Sequence, residues 1–335
     1  MGIFIANIVM LGVWSFLFRK RLDPRQNGSL LFIVIISMQM IAVVACTPLT
    51  NDALNYELYA SWHSYGNAEP GWKYFSEAMW AIYPDGKSLV LGTNAIITFA
   101  FGRYVWRNSR NMAWSYFIYI CIGIWGMTFY ILRQTIALAI LLFAYEFVKK
   151  QKLLPFLLLV ALASLFHQTA LAFLLLYPVS LFNRGFVYHA IAVVSCFIVF
   201  VFGADIITFL LSVFRNGELY TISDFSGFSY FLMLAGFLVF ASLANRRPEE
   251  PLAFHSVEIG VVLQTLSFYL SNFVRLVQYF AIHLTSLVPN AFIAIENTNL
   301  RLLLQVLMMA FMLFFYFIVQ DCAYPDGSSN WYFEW

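Results

Sequence analysis

Two ionisable side chains stand where an apolar chain tolerates them least. Arg133 opens the run Ile131-Leu132-Arg133-Gln134-Thr135-Ile136-Ala137, and His167 interrupts a second run at Phe166-His167-Gln168-Thr169-Ala170-Leu171. An arginine at a bilayer centre costs about 3 kcal/mol on insertion scales, and less near an interface, so a residue of this kind points to a partner or a function. Arg275 falls, like Arg133, at the end of a hydrophobic segment. A guanidinium is a planar fork of donors that meets phosphate oxygens two at a time and stays charged when half-buried. Two such forks at one level suit a lipid-borne pyrophosphate, both to hold it and to stabilise it as a leaving group. For a single arginine, snorkelling or a structural ion pair explains the placement equally well. Arg275 also shares a helix face with Tyr279 by i, i+4 spacing. A neutral His167 accepts a proton from a hydroxyl and its imidazolium donates to a phosphate. A turn histidine bonded to a carbonyl is the plainer alternative.

A second concentration of polar chemistry lies between residues 48 and 85. Asp52, Asn55, Glu57, His63, Glu69 and Asp85 are interleaved there with Tyr56, Tyr59, Trp62, Tyr65, Trp72, Tyr74 and Trp80. Rings stack on the apolar faces of sugars while carboxylates and amides bond their hydroxyls, so this mixture fits a glycan surface. Asp52, Glu57 and Glu69 are the candidate general bases for a sugar hydroxyl. An interfacial aromatic belt with solvated acids has the same composition. The five histidines have no metal spacing, and Cys46, Cys121, Cys196 and Cys322 form no CxxC. Neither a metal nor a cofactor is therefore expected. No phosphate-loop, dinucleotide, zinc-protease or nucleophile-elbow motif is present, and no nucleic-acid partner is indicated.

The elements that must position these residues are membrane helices. The chain is 62% hydrophobic and 11% charged, with a mean hydropathy of +0.78. A globular domain is typically about half apolar and a quarter charged. A bilayer core takes about 20 apolar residues per helix. The expected fold is therefore all-α, a polytopic integral membrane protein of about 12 transmembrane helices in a single domain over 1–335. The expected helices cover 3–17, 30–46, 88–102, 113–128, 132–148, two short segments within 153–183, 186–203, 228–244, 257–270, 276–295 and 302–319. Residues 3–17 are expected to be retained as the first helix, since no basic segment or cleavage signal precedes them. Basic clusters at 19–25, 103–110, 149–152 and 246–247 belong on the cytoplasmic side. That rule puts the loops 48–85 and 205–227 and the tail 320–335 outside. It also requires the run 153–183 to turn back near Phe166-His167-Gln168, because one long tilted helix would carry Arg184 and Arg246-Arg247 outward.

Several of these stretches together resemble a known family. Leu132-Arg133-Gln134-x-Ile136-Ala137, followed after a lysine-rich turn by Phe166-His167-x-Thr169-Ala170-Leu171, is similar to the EpsG-like branch of the Wzy-type bacterial polysaccharide polymerases. So are Asp52-x-x-x-Tyr56-x-x-Tyr59, Glu69-Pro70-Gly71-Trp72, Arg275-x-x-x-Tyr279 and the aromatic end Trp331-Tyr332-Phe333-Glu334-Trp335. The resemblance implies a GT-C-like membrane glycosyltransferase architecture in the bacterial inner membrane, with its active site facing the periplasm. It implies transfer of a growing O-antigen or similar glycan from undecaprenyl pyrophosphate onto a fresh lipid-linked repeat, with a chain-length regulator as a further partner. On this reading Arg133 and Arg275 hold the pyrophosphate and His167 serves the acceptor hydroxyl, with Asp52 or Glu69 the alternative base. Tyr56, Gln134, Tyr279 and Trp72 contact substrate. An O-antigen ligase and a lipid-linked oligosaccharide flippase are the alternatives, and a membrane O-acyltransferase using His189 or His255 is a more distant third. A flippase would line a central cavity with charge, whereas this chain gathers its polar groups at one face.

Overall fold

The computed structural model describes residues 2–23, 29–182, 186–214, 227–244, 251–270 and 273–319. Among them every regular element is helical. In chain order these are α1 (Gly2–Leu17), α2 (Ser29–Cys46), α3 (Asn51–Ser61), α4 (Pro70–Ile82), α5 (Gly86–Asn108), α6 (Met112–Cys121), α7 (Ile124–Met127) and α8 (Leu132–Lys149). Then follow α9 (Leu153–Ser164), a 3-10 turn (Gln168–Leu175), α10 (Leu176–Ser180), α11 (Phe186–Phe214), α12 (Phe228–Ala244) and α13 (Pro251–Gln264). A 3-10 turn (Thr265–Phe268), α14 (Val274–Ala281), α15 (Leu284–Ile293) and α16 (Thr298–Phe314) lead to a π-turn at Phe315–Val319.

Five spans among the described residues are long and apolar enough to cross a bilayer: Ser29–Cys46, Gly86–Asn108, His189–Phe209, Phe273–Ile293 and Thr298–Phe317. Shorter apolar helices, including Met112–Cys121 and Leu153–Ser164, accompany them. The chain is an all-α membrane protein. Leu158, Val193, Phe197 and Leu302 are among the exposed apolar side chains of its outer helices. Such side chains are at home against lipid tails.

α8 runs through the middle, packed along α5 and folded back on α9. Its Ala137, Leu141, Ala144, Tyr145 and Val148 are buried. Tyr145 stacks on His283 at 4.3 Å and meets Tyr104 edge-on at 5.6 Å. The far end of α8 is locked by a polar knot. The buried Glu146 accepts from Asn108 Nδ2 at 3.0 Å and lies 3.1 Å from Arg107 Nε. Lys149 Nζ donates to Asn108 Oδ1 at 2.8 Å, and Asn290 Nδ2 donates to the Asn108 carbonyl at 2.8 Å. This knot joins α5, α8 and α15.

Several expected elements differ in detail. The stretch 48–85 is not a loop but largely the two helices α3 and α4. The helix expected over 113–128 stops at Gly123, whose φ of 83° is left-handed and suits glycine. The helix expected over 276–295 is divided between α14 and α15 at Ile282 and His283. His283 Nδ1 lies 2.9 Å from Ser256 Oγ and 3.1 Å from the Phe280 carbonyl, so tertiary and local bonds hold the break. α11 continues to Phe214, into the segment expected as external. Residues 215–226, Arg184, Arg246-Arg247 and the tail 320–335 lie outside the described residues. The turn expected near Phe166-His167-Gln168 is present, between α9 and the following 3-10 turn.

Glu146→Ala leaves Asn108 and Arg107 without their acceptor at a buried site, a loss on the order of 1–3 kcal/mol. The expected outcome is a lower unfolding temperature in detergent, with Glu146→Gln falling between the two. Equal unfolding temperatures for all three proteins would remove the knot's role.

Candidate functional site

Glu69 draws three segments together. It sits at the N-cap of α4 in an extended conformation, with Pro70 at the first helical position. Proline suits that place because it lacks the N–H a first turn cannot satisfy. The Glu69 carboxylate makes no capping bond to α4. Its Oε2 accepts from Arg133 Nη1 at 2.7 Å, and its Oε1 accepts from the Gln168 backbone N–H at 3.2 Å. His167 Nδ1 lies 3.3 Å from the same Oε1, an ion-pair contact once the ring is protonated. Gly71 brings the backbones together, its N–H donating to the Leu165 carbonyl at 2.8 Å. A Cβ at Gly71 would come within 2.7 Å of that oxygen, so only glycine permits the approach.

Arg133 lies in the first turn of α8, which has no side-chain cap. A cation is unfavourable at the positive end of a helix dipole unless an anion accompanies it. In the free protein Glu69 is that anion. Arg133, Arg275 and Asp52 all lie within electrostatic reach of the Tyr56 phenol. The Arg275 side chain is exposed. Its carbonyl accepts from the Gln134 amide, while Tyr279, one turn further along α14, shares a 3.1 Å hydrogen bond with Thr169. A closed circuit results: Glu69 to Arg133, Gln134 to Arg275, Tyr279 to Thr169, and His167 back to Glu69.

The structure thus brings together Asp52, Tyr56, Glu69, Arg133, Gln134, His167, Arg275 and Tyr279. It does not expose them all. Trp72, expected to contact substrate, is 2% exposed and packs on Tyr56 at a ring distance of 4.9 Å. Gln134 and Tyr279 are buried as well. These three stand behind the accessible groups, because the helix contacts that orient the site also cover them. Thr169 and Gly71 join the site without being expected there as functional residues. A small residue after a proline and a hydroxyl beside a turn histidine were the available signals.

Burial alone would raise the Glu69 carboxyl above its ordinary value. The His167 contact, its own backbone N–H and the Arg133 charge outweigh that and bring it from 4.5 to about 2. A carboxylate so stabilised is a poor proton acceptor near neutral pH. Burial pushes the Tyr56 phenol up, against the opposing pull of Arg133, so it remains a hydroxyl donor.

His189 and His255 belong to a different cluster. His189 Nδ1 lies 2.7 Å from Glu258 Oε1, and His255 Nδ1 3.8 Å from Glu258 Oε2. Among the described residues no group of three or more His, Cys, Asp or Glu is placed to hold a metal ion.

Among known proteins, the model of the EpsG family matches residues 6–332. No protein of curated function and no solved structure shows a significant match.

Because the folded-state value of Glu69 is depressed, its stabilising contribution is complete above about 4.5 and is lost as pH falls toward about 2. Unfolding temperatures of wild type and Glu69→Gln should therefore differ at neutral pH and converge in acid. A gap that persists unchanged at pH 3 would contradict this.

Proposed function

The chain belongs to the EpsG family, and from that premise we propose that it is a membrane glycosyltransferase that polymerises lipid-linked oligosaccharide repeats. In this reading the protein spans the bacterial inner membrane about 12 times in a GT-C-like arrangement, with the Glu69 site at the periplasmic face. The donor is a growing glycan on undecaprenyl pyrophosphate, the acceptor is a fresh lipid-linked repeat, and a chain-length regulator acts as partner. The observation that carries the reading is one carboxylate shared by an arginine and a histidine, with a second, exposed arginine beside them.

Arg275 offers an open fork to the diphosphate, and Arg133 offers the donors that Glu69 does not take. Both gain as negative charge develops on the departing phosphate oxygen. The acceptor hydroxyl gives its proton to His167 as its oxygen bonds the anomeric carbon, and the carbon–oxygen bond to phosphate breaks. Glu69, held ionised, orients the imidazole and stabilises the imidazolium that forms. That division leaves Glu69 a positioning group and Asp52 the alternative base. Tyr56 adds a hydroxyl donor at the mouth, and Trp72, Gln134 and Tyr279 hold the geometry behind it.

A ligase would use similar chemistry on a different acceptor. A flippase would need a charged route through the bilayer, whereas the charged groups of the Glu69 site gather at the starts of α4 and α8 and the turn after α9. Surface-glycan banding separates the three. Loss of a polymerase leaves single repeats, loss of a ligase leaves none on the surface lipid, and loss of a flippase retains precursor inside.

Purified protein supplied with defined lipid-linked repeats should elongate them. Arg133→Ala should slow this roughly 10²–10³-fold, as for loss of an anion-stabilising donor. His167→Ala should slow it on the order of 10²–10⁴-fold, as for loss of a general base. Wild-type rates in either variant would remove that residue's role, and no elongation by folded wild type would overturn the reading.

A further inference from the structure

α3 has two unlike faces. Asp52 and Tyr56 point toward the Arg133 site, and Ala53 and Ala60, at 1% and 0% exposure, lie against the core. On the far side of the wheel, Leu54, Leu58 and Trp62 recur at i, i+4 and i+8 and remain 43%, 46% and 70% exposed. No charged side chain interrupts this stripe, and the half-exposed Tyr59 flanks it. A helix that buries its alanines and displays leucine and tryptophan is inverted for water.

Its neighbours fix the level at which it lies. α2 and α5 are both spans, and α3 begins only a few residues after α2 ends. Lys87 in the first turn of α5 donates to the Thr47 carbonyl just beyond α2, so these two span ends are level. Thr50 caps α3 through the Ala53 N–H at 3.2 Å and also reaches the Phe129 carbonyl at 3.3 Å. α3 is therefore held at the boundary where both spans leave the hydrocarbon.

We propose that the Leu54-Leu58-Trp62 face of α3 is seated in the phospholipid bilayer as an interfacial helix. Leucine and tryptophan are the residue types that hold a helix at the headgroup and acyl boundary. The occupant is lipid and not a second copy of the chain, because the stripe is narrow and lies level with the ends of two apolar spans. Seating α3 there sets Tyr56 and Asp52 at headgroup depth. On the function proposed above, that is the depth of a lipid carrier's diphosphate.

Photocrosslinking of the full chain in phospholipid vesicles tests this without reading activity. A benzophenone side chain replaces Leu58, with Met38 on α2 (67% exposed) as the lipid-facing reference and Asn67 in the exposed turn before α4 as the other. Mass spectrometry should find phospholipid adducts at position 58 at a yield comparable with Met38 and about tenfold or more above Asn67. A chain-to-chain adduct at 58, or a lipid yield no higher than at Asn67 while Met38 still labels, overturns the proposal. Failure of glycan elongation would leave this result standing, and failure here would leave the polymerase reading to its own assay.

Discussion

One buried negative charge organises the candidate site of this molecule. The Glu69 side chain is about 10% exposed, and a carboxylate so placed is tolerable only if its lone pairs are taken by well-aligned donors. Those donors come from separate parts of the chain: the start of α8, the turn after α9 and the backbone that follows it. Satisfying one charge therefore fixes the relative position of an arginine and a histidine. It also explains why Gly71 must be small, since α4 can deliver Glu69 only by resting its backbone on Leu165.

The bilayer imposes the complementary constraint. α8 carries Arg133 near one end and Glu146 near the other, about 20 Å apart at the rise of a regular helix. Between them its buried side chains are apolar or aromatic apart from Gln134 and Thr135, both next to Arg133. Charge on α8 is thus confined to two levels, each cross-braced to neighbouring helices, with Tyr145 stacked on His283 and Tyr104 edge-on to both. A rod braced at both ends gives Arg133 a stiff mount. Stiffness matters where a misplacement of about 1 Å can cost a hundredfold in rate.

Much of this was legible in the residues themselves. His167 marked a break because a run of that length could not continue without reversing the charge bias of later loops, and the break lies where that logic puts it. Arg133, Arg275 and Glu69 were conspicuous because ionisable groups are rare in so apolar a chain. The helical character of 48–85 was hidden, because mixed aromatic and acidic residues there blur the 3.6 period. The interruption at Ile282 and His283 was hidden for a different reason. Apolar residues continue on both sides of it with no glycine or proline at the break, and the bond to Ser256 that holds it is remote in sequence. The pairing of Glu69 with Arg133 and the burial of Trp72, Gln134 and Tyr279 were hidden, since spacing along a chain does not reveal which acid will meet the arginine or which side chains neighbouring helices will cover.

The most direct test is a structure of the protein determined with a lipid-linked diphosphate sugar bound. The arrangement described here predicts phosphate oxygens within hydrogen-bonding distance of the Arg133 and Arg275 guanidinium groups, with the sugar's anomeric carbon facing His167. A diphosphate seated elsewhere, with the Arg133–Glu69 pair closed and Arg275 unliganded, would contradict it.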